Sequence, residues 1–187
     1  VGLGPVATYS FLAVPLGTAA PRRRMVLIGT TSAAAITGAT VAGSAMTRLT
    51  STPNDDSFIV DMPTGTSATV TLTKSSAVNA LVSVTLWAVY DLASPLLRTV
   101  SHSTASPGVL DLDVSSRAVV LALSRNSTAG VTRVWTGATE DYIQTATLNQ
   151  VNRSAASIVT AAAETPRTVR VAYSGGAGFV ATAISLR

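Results

Sequence analysis

The sequence contains no cysteine, a single histidine, a single lysine and few charged residues, and each scarcity excludes a class of protein. Without cysteine there is neither a disulfide framework nor a thiolate metal site. One histidine, His102, gives little support to a zinc site or a histidine-dependent catalytic triad. No run of 18 apolar residues occurs, so the sequence predicts neither a transmembrane helix nor a membrane partner.

Charged residues make up 12% of the chain and hydrophobic residues 47%, whereas an ordinary domain has ~25% charged residues. Serine and threonine supply most of the polarity instead. A composition rich in threonine and valine favours β-structure. A surface of low charge also suits a protein that works inside an assembly.

The length of 187 residues fits one domain, since β-sandwiches of roughly 200 residues commonly form a single unit. We therefore predict one sandwich domain over residues 1–187. Residues 1–24 are expected to form an extended N-terminal arm or a first strand. The segment has an apolar middle, but it lacks the basic start of a signal peptide and contains prolines.

Short segments of alternating apolar and polar residues, separated by Gly, Pro, Asn and Ser, dominate the chain and predict β-strands. Ala68–Lys74, Gly108–Val114 and Arg167–Tyr173 are the clearest. Near-continuous apolar runs predict central strands that are buried on both faces: Met25–Ile28, Leu81–Val89 and Ala118–Leu123. Gly175-Gly176 predicts a hairpin turn into Phe179–Leu186. We predict an all-β, antiparallel β-sandwich of about a dozen short strands, jelly-roll-like or lectin-like.

The net charge is +4, and nearly all basic residues are arginines scattered singly along the chain. A nucleic-acid-binding protein would concentrate them in a stripe or patch, so no nucleic-acid partner is predicted. The exception is Arg22, Arg23 and Arg24, which follow Pro21. This cluster is either a contact for phosphate, an acidic glycan or an acidic partner surface, or the solvated start of a strand.

Few residues form a pattern that is typical of a metal-binding or cofactor-binding site. Asn54, Asp55 and Asp56 could supply oxygen ligands to calcium, although Asx residues also bond their own backbone in turns. No cofactor and no other metal are predicted.

Three acidic pairs resemble the carboxylates of a glycoside hydrolase: Asp55 with Asp56, Asp111 with Asp113, and Glu140 with Asp141. Asp111 and Asp113 share one strand face, ~7 Å apart by strand rise, as on any solvated strand. His102 is expected in an exposed loop. The sequence therefore predicts no catalytic residues and no enzyme.

Exposed aromatic rings are the usual stacking platforms for sugars, and the sequence has two tryptophans. Trp87 lies within an apolar run and is expected in the core. Trp135 precedes a Thr-Gly turn, and Tyr142 follows nearby. Trp135 and Tyr142 are therefore the candidate pair for stacking against a glycan.

Several strings in order resemble a group of small β-sandwich proteins encoded by tailed bacteriophages and by prophage-like elements of alphaproteobacteria. The strings are VSVTLWAVYDLASP (82–95), GVLDLDV (108–114), AVVLALSRN (118–126), VTRVWTGATEDY (131–142) and TVRVAYSGGAGFVATAISLR (168–187). The resemblance extends from about Met25 onward, and the Arg22–Arg24 cluster departs from it.

This resemblance implies a virion protein of the head-decoration, spike, fibre or tail-accessory type. It implies other virion proteins as partners, a homo-oligomer, and localisation on the phage particle. It brings no catalytic residues. The alternative is a lectin-like module that recognises a host surface glycan.

Overall fold

The computed structural model describes residues 6–31, 33–52, 55–78, 82–94, 97–128, 130–144, 152–175 and 178–187. These residues form sixteen β-strands, all paired antiparallel, and no helix, so the all-β prediction is confirmed. Accordingly, no helix in the described ranges is long and apolar enough to span a membrane.

The chain separates into two compact units, Val1–Leu92 and Ala93–Arg187. The sequence predicted one sandwich over residues 1–187, and the structure has two, each with its own core. Nothing in the composition marks the boundary, because the residues on both sides of Leu92 are equally rich in small and apolar types. Each unit has about 90 residues, which lies within the usual size range of a domain.

The first unit packs two four-stranded sheets, in the orders β1-β7-β3-β4 and β5-β6-β2-β8. Its strands are β1 (Val6–Pro15), β2 (Arg23–Thr31), β3 (Ile36–Val41), β4 (Ser44–Ala45), β5 (Thr47–Ser51), β6 (Asp55–Asp61), β7 (Ser67–Val78) and β8 (Val82–Tyr90). Met25, Leu27 and Phe58 of one sheet pack with Ile36 and Leu72 of the other. The early segment is thus a true first strand, β1, which pairs with β7.

The second unit packs a three-stranded sheet, β10-β15-β12, and a five-stranded sheet, β13-β14-β11-β16-β9. Its strands are β9 (Leu97–Ser103), β10 (Gly108–Val114), β11 (Val119–Asn126), β12 (Arg133–Thr136), β13 (Thr139–Gln144), β14 (Asn152–Val159), β15 (Glu164–Tyr173) and β16 (Val180–Leu186). Leu110, Leu112 and Val171 pack with Val120 and Ala183 of the opposite sheet.

The second unit follows a jelly-roll order. Its first strand pairs with its last (β9 with β16), its second with its seventh (β10 with β15), and its third with its sixth (β11 with β14). This is one long hairpin folded over into two facing sheets. The jelly-roll-like part of the prediction therefore describes this unit well.

Strands β15 and β16 do not form the hairpin predicted at Gly175-Gly176, because they lie in different sheets; Gly176 itself lies outside the described residues. The chain crosses from one sheet to the other between Tyr173 and Val180. Two alternating segments joined by glycines predict strands equally well whether the connection is a hairpin or a crossover, so local sequence could not separate the two.

Two of the three predicted central strands are confirmed by burial. In β2 every residue except Arg24 is buried, and in β11 only Arg125 is partly exposed. A strand buried on both faces has no polar face to alternate with the apolar one, which explains the near-continuous apolar runs.

The third predicted central strand is β8, and it is not central. It lies at the end of its sheet, and most of its described side chains are half-buried. Trp87 is likewise half-buried and lies outside the buried core cluster, so its expected core position is wrong. An apolar run shows that both strand faces are partly covered, but it does not show how many neighbours the strand has.

Candidate functional site

The arginine cluster begins β2, and its three side chains lie in different environments. Arg23 is buried, with 1% of its surface exposed. Its guanidinium donates five hydrogen bonds to main-chain carbonyl oxygens: Nε to Met62 (2.7 Å), Nη1 to Leu16 and Gly17 (3.1 Å each), and Nη2 to Thr64 (2.5 Å) and Gly65 (2.9 Å). These carbonyls belong to the β1–β2 and β6–β7 connections. Arg23 is therefore part of the fold. The hypothesis that it contacts a partner is wrong for this residue, because its side chain is not exposed.

Arg24 and Arg22 are more accessible. Arg24 Nε donates to Asp61 Oδ1 at 2.7 Å, and Arg24 Nη1 donates to the Leu92 carbonyl at 3.0 Å. Arg22 is 64% exposed, with its Nε 3.6 Å from Asp91 Oδ1. The predicted partner contact stays a prediction for these two residues, and Arg22 is the more available.

Asp55 and Asp56, the candidate calcium ligands, are both buried at the start of β6. Asp56 Oδ2 accepts the Ile36 main-chain N–H at 3.0 Å, and Asp56 Oδ1 lies 3.5 Å from Arg48 Nη2. Arg48 thus already supplies a positive charge to Asp56. Asn54 lies outside the described residues. Within the described residues no group of three or more His, Asp or Glu side chains could hold a metal, and the calcium hypothesis stays a prediction.

Trp135 and Tyr142, the candidate stacking pair, lie in different sheets of the second unit. Trp135 in β12 is half-buried against the core, and its Nε1 donates to Ser154 Oγ at 2.6 Å. Tyr142 in the edge strand β13 is 47% exposed. The pKa of the nearby Arg153 lies below its ordinary value, mainly because the guanidinium is buried. The neighbouring Tyr142 raises this pKa, and the neighbouring Arg125 lowers it further. Of the pair, Tyr142 presents more of its ring to a ligand.

Polar side chains connect the two sheets of the second unit. Ser154 Oγ accepts the Trp135 N–H and donates to Glu140 Oε1, which also accepts from Arg133 Nε at 2.8 Å. Glu140 is therefore bound within the fold, which leaves it poorly placed as a catalytic acid.

A second inter-sheet contact joins β11 and β15. Ser124 Oγ and the Tyr173 hydroxyl lie 2.9 Å apart. Burial raises the pKa of Tyr173, against a smaller lowering by the Ser124 hydrogen bond. Both contacts join strands of opposite sheets, so polar groups as well as the apolar core hold this sandwich together.

The remaining candidates are dispersed. Asp111 is exposed on β10, where its Oδ1 accepts from Thr168 Oγ1 at 2.6 Å. Asp113 is half-buried on the same strand. His102 is not in an exposed loop as expected: it lies in β9, half-buried, with Nδ1 2.9 Å from Thr182 Oγ1. The segment HSTASPG has no large apolar residue that would mark a strand position, so it has the composition of a loop.

Sequence reasoning missed a surface cavity of about 260 Å³ lined by Ala20, Pro21, Arg22, Tyr90 and Asp91. These residues are far apart in the sequence and meet because β2 pairs with β8, with Arg23 opposite Tyr90. Neither half of the lining forms a motif by itself. Only the strand pairing, which the sequence does not specify, indicates that they share a site.

Comparisons with protein-family models, with curated proteins and with solved structures found no match to this chain. They therefore indicate neither a family nor an activity for it.

Proposed function

We propose that this chain is a non-enzymatic structural component of a bacteriophage virion that assembles through protein–protein contacts. It would serve as a capsid-decoration, spike, fibre or tail-accessory subunit. The observation that carries the proposal is the edge strand β13, which exposes apolar side chains on both of its faces.

Strand β13 ends the five-stranded sheet, and in the described part of the chain its only ladder partner is β14. Tyr142 is 47% exposed and Ile143 is 55% exposed. Neighbouring residues in a strand point to opposite faces, so a strand added beside β13 would gain apolar contacts on both sides. Soluble monomers usually protect such edges with lysine, proline or a very short strand.

Neither lysine nor proline occurs in β13. Its first half carries Glu140 and Asp141 and a register irregularity before Tyr142, so the edge that is open to a partner is the second half, with Tyr142 and Ile143. The partner that fits β13 best is a second copy of the same strand, since antiparallel pairing of identical strands generates a two-fold symmetric contact.

The fold and composition support the same proposal. Jelly-roll sandwiches recur in viral capsid proteins and in lectins. A chain with only 12% charged residues has little charge to desolvate when subunits pack closely. The sequence resemblance to phage β-sandwich proteins supplies the virion context.

The experiment compares Ile143→Lys with the matched control Val159→Lys. Val159 is also exposed, but it ends the inner strand β14. Light scattering should give a defined oligomer for the wild type and for Val159→Lys, and a smaller species for Ile143→Lys. An oligomer unchanged by Ile143→Lys would contradict β13 as the contact.

The alternative, a lectin-like module that stacks glycans on Trp135 and Tyr142, stays a prediction. Trp135 is engaged with the core and with Ser154. Alanine at Tyr142 would test that site by its effect on glycan binding.

A further inference from the structure

The cavity between the β1–β2 connection and the end of β8 combines an aromatic ring, a cation and an anion. Its volume of about 260 Å³ is below the roughly 300–1,000 Å³ of sites for drug-sized ligands. A single small ring therefore fits it better than an extended oligomer.

Tyr90 presents a fixed ring to this cavity. The side chain is 41% exposed, and its hydroxyl donates to the Thr18 carbonyl at 2.9 Å. Gly17 permits this position, because a Cβ there would lie 2.9 Å from the Tyr90 hydroxyl oxygen. A ring that is held before binding loses little conformational entropy when a ligand packs on it.

Arg22 and Asp91 form a charge-neutral pair at the rim. Arg22 Nε lies 3.6 Å from Asp91 Oδ1, and the two side chains are 64% and 74% exposed. The guanidinium offers N–H donors and the carboxylate offers acceptors only. Adjacent hydroxyl groups of a sugar can accept from one and donate to the other.

The Arg22–Asp91 ion pair also favours neutral ligands over anionic ones. An anionic sugar or a phosphate would gain from Arg22 but would face Asp91 at close range, and like charges in proximity are unfavourable. A neutral polyol meets no such penalty. Pro21 and Ala20 add apolar surface without further charge.

We propose that this cavity binds one neutral pyranose ring, with its C–H face on Tyr90 and two neighbouring hydroxyls on Arg22 and Asp91. The site lies in the first unit, whereas the proposed assembly strand β13 lies in the second. The inference goes beyond the structural role and holds whether or not the chain assembles through β13.

The test uses saturation-transfer NMR and calorimetric titration with methyl glycosides of glucose, galactose, mannose and rhamnose. Methyl glucuronide is the anionic comparison. A single ring in a shallow site should bind with a Kd on the order of 1 mM. We expect at least one neutral glycoside to bind and the glucuronide to bind more weakly.

Three variants locate the site. Tyr90→Ala should weaken binding at least fivefold, whereas Tyr142→Ala, which removes an exposed ring from the second unit, should leave it unchanged. Asp91→Asn removes the anion, and asparagine tolerates the positive φ of 55° at this position. That variant should reverse the preference in favour of the glucuronide.

Absence of binding by every neutral glycoside would overturn the inference, as would equal binding by Tyr90→Ala and wild type at equal thermal stability. Loss of binding only in Tyr142→Ala would place the glycan site in the second unit instead. Light scattering on Tyr90→Ala keeps the two proposals apart, because its oligomeric state should match the wild type.

Discussion

The two units of the chain have related strand orders but hold their sheets together by different chemistry. In the first unit β2 pairs with β8, β3 with β7 and β5 with β6. In the second β9 pairs with β16, β10 with β15 and β11 with β14. The second unit is one long hairpin folded over on itself, whereas the first unit also pairs β1 with β7 and β2 with β6 and shares only part of this order. Their amino-acid sequences show no convincing internal repeat, so the shared order is visible in the structure only.

The polar contacts that close each sandwich differ. In the first unit the buried guanidinium of Arg23 bonds five main-chain carbonyls of two connections, and the buried carboxylate of Asp56 in β6 accepts the Ile36 main-chain N–H of β3. In the second, pairs of side chains connect the sheets, among them Trp135 with Ser154, Arg133 with Glu140 and Tyr173 with Ser124. An alternating pattern is enough to form strands and a core, whereas the polar groups that close each sandwich are specific to each unit.

The largest effect is expected from Arg23→Met, which removes the donor for five carbonyls. Removal of a buried charged partner typically costs about 3–5 kcal/mol, so we expect a loss of that size in the free energy of unfolding. Urea denaturation of the variant and the wild type measures it. Arg24→Ala is the control and should cost about 1 kcal/mol or less, because the Arg24 partner Asp61 is exposed.

Each unit has one tryptophan, Trp87 in the first and Trp135 in the second. Trp87→Phe and Trp135→Phe backgrounds therefore report the units separately by fluorescence. We expect Arg23→Met to lower the unfolding midpoint reported by Trp87. An unchanged Trp87 midpoint would contradict the role given to Arg23.

Ser154→Ala should cost less, about 1–3 kcal/mol, because the half-buried Trp135 N–H loses its acceptor, whereas the exposed Glu140 keeps its hydrogen bond from Arg133. Thermal unfolding followed at Trp135 measures the loss. Ser157→Ala removes a more exposed hydroxyl that donates to Asp141, and it should have little effect. Equal losses in the two variants would mean that the inter-sheet contacts of Ser154 add no stability of their own.

Tyr173→Phe should cost about 1 kcal/mol at neutral pH, through loss of the contact with Ser124. Burial raises the pKa of Tyr173 above its ordinary value of 10.0. The folded state therefore keeps the proton longer than the unfolded state. The stabilisation is fully present below about pH 10 and is lost as the pH rises through the folded value.

The stability difference between Tyr173→Phe and the wild type should therefore shrink above about pH 10. Urea midpoints measured at neutral pH and in the alkaline range give this difference. A constant difference across that range would contradict the raised pKa.

The smallest effect on stability is expected from Ile143→Lys, within about 0.5 kcal/mol of the wild type, because the side chain is exposed. The same substitution should change the oligomeric state. A loss of several kcal/mol would instead make Ile143 a residue of the fold rather than of an interface.

The alternation of apolar and polar residues along single strands predicts where strands lie, but it does not predict which strands pair. Gly108–Val114 is β10 to the residue, since its buried positions alternate with more exposed ones along the whole strand. Residues 44–51, by contrast, divide into β4 and β5, which belong to different sheets although only Met46 separates them. The assignment of β15 and β16 to different sheets and the two-unit division were also missed, because both depend on which strands pair.

The site was harder to predict for the same reason. Arg23 lies in a run of three arginines that has the composition of an exposed segment, and only the surrounding carbonyls explain its burial. Tyr90 meets Arg22 through the β2–β8 pairing. Trp135, an aromatic residue near a turn, has the sequence pattern of an exposed stacking platform, and the sequence does not show that Ser154 accepts its indole N–H.

The central proposal is that the chain assembles as a virion subunit. The most direct measurement is the mass of the purified chain by light scattering, with sedimentation alongside purified phage particles from a host that carries its gene. A defined oligomer that co-sediments with particles is the predicted result. A strictly monomeric chain that is absent from particles would contradict it.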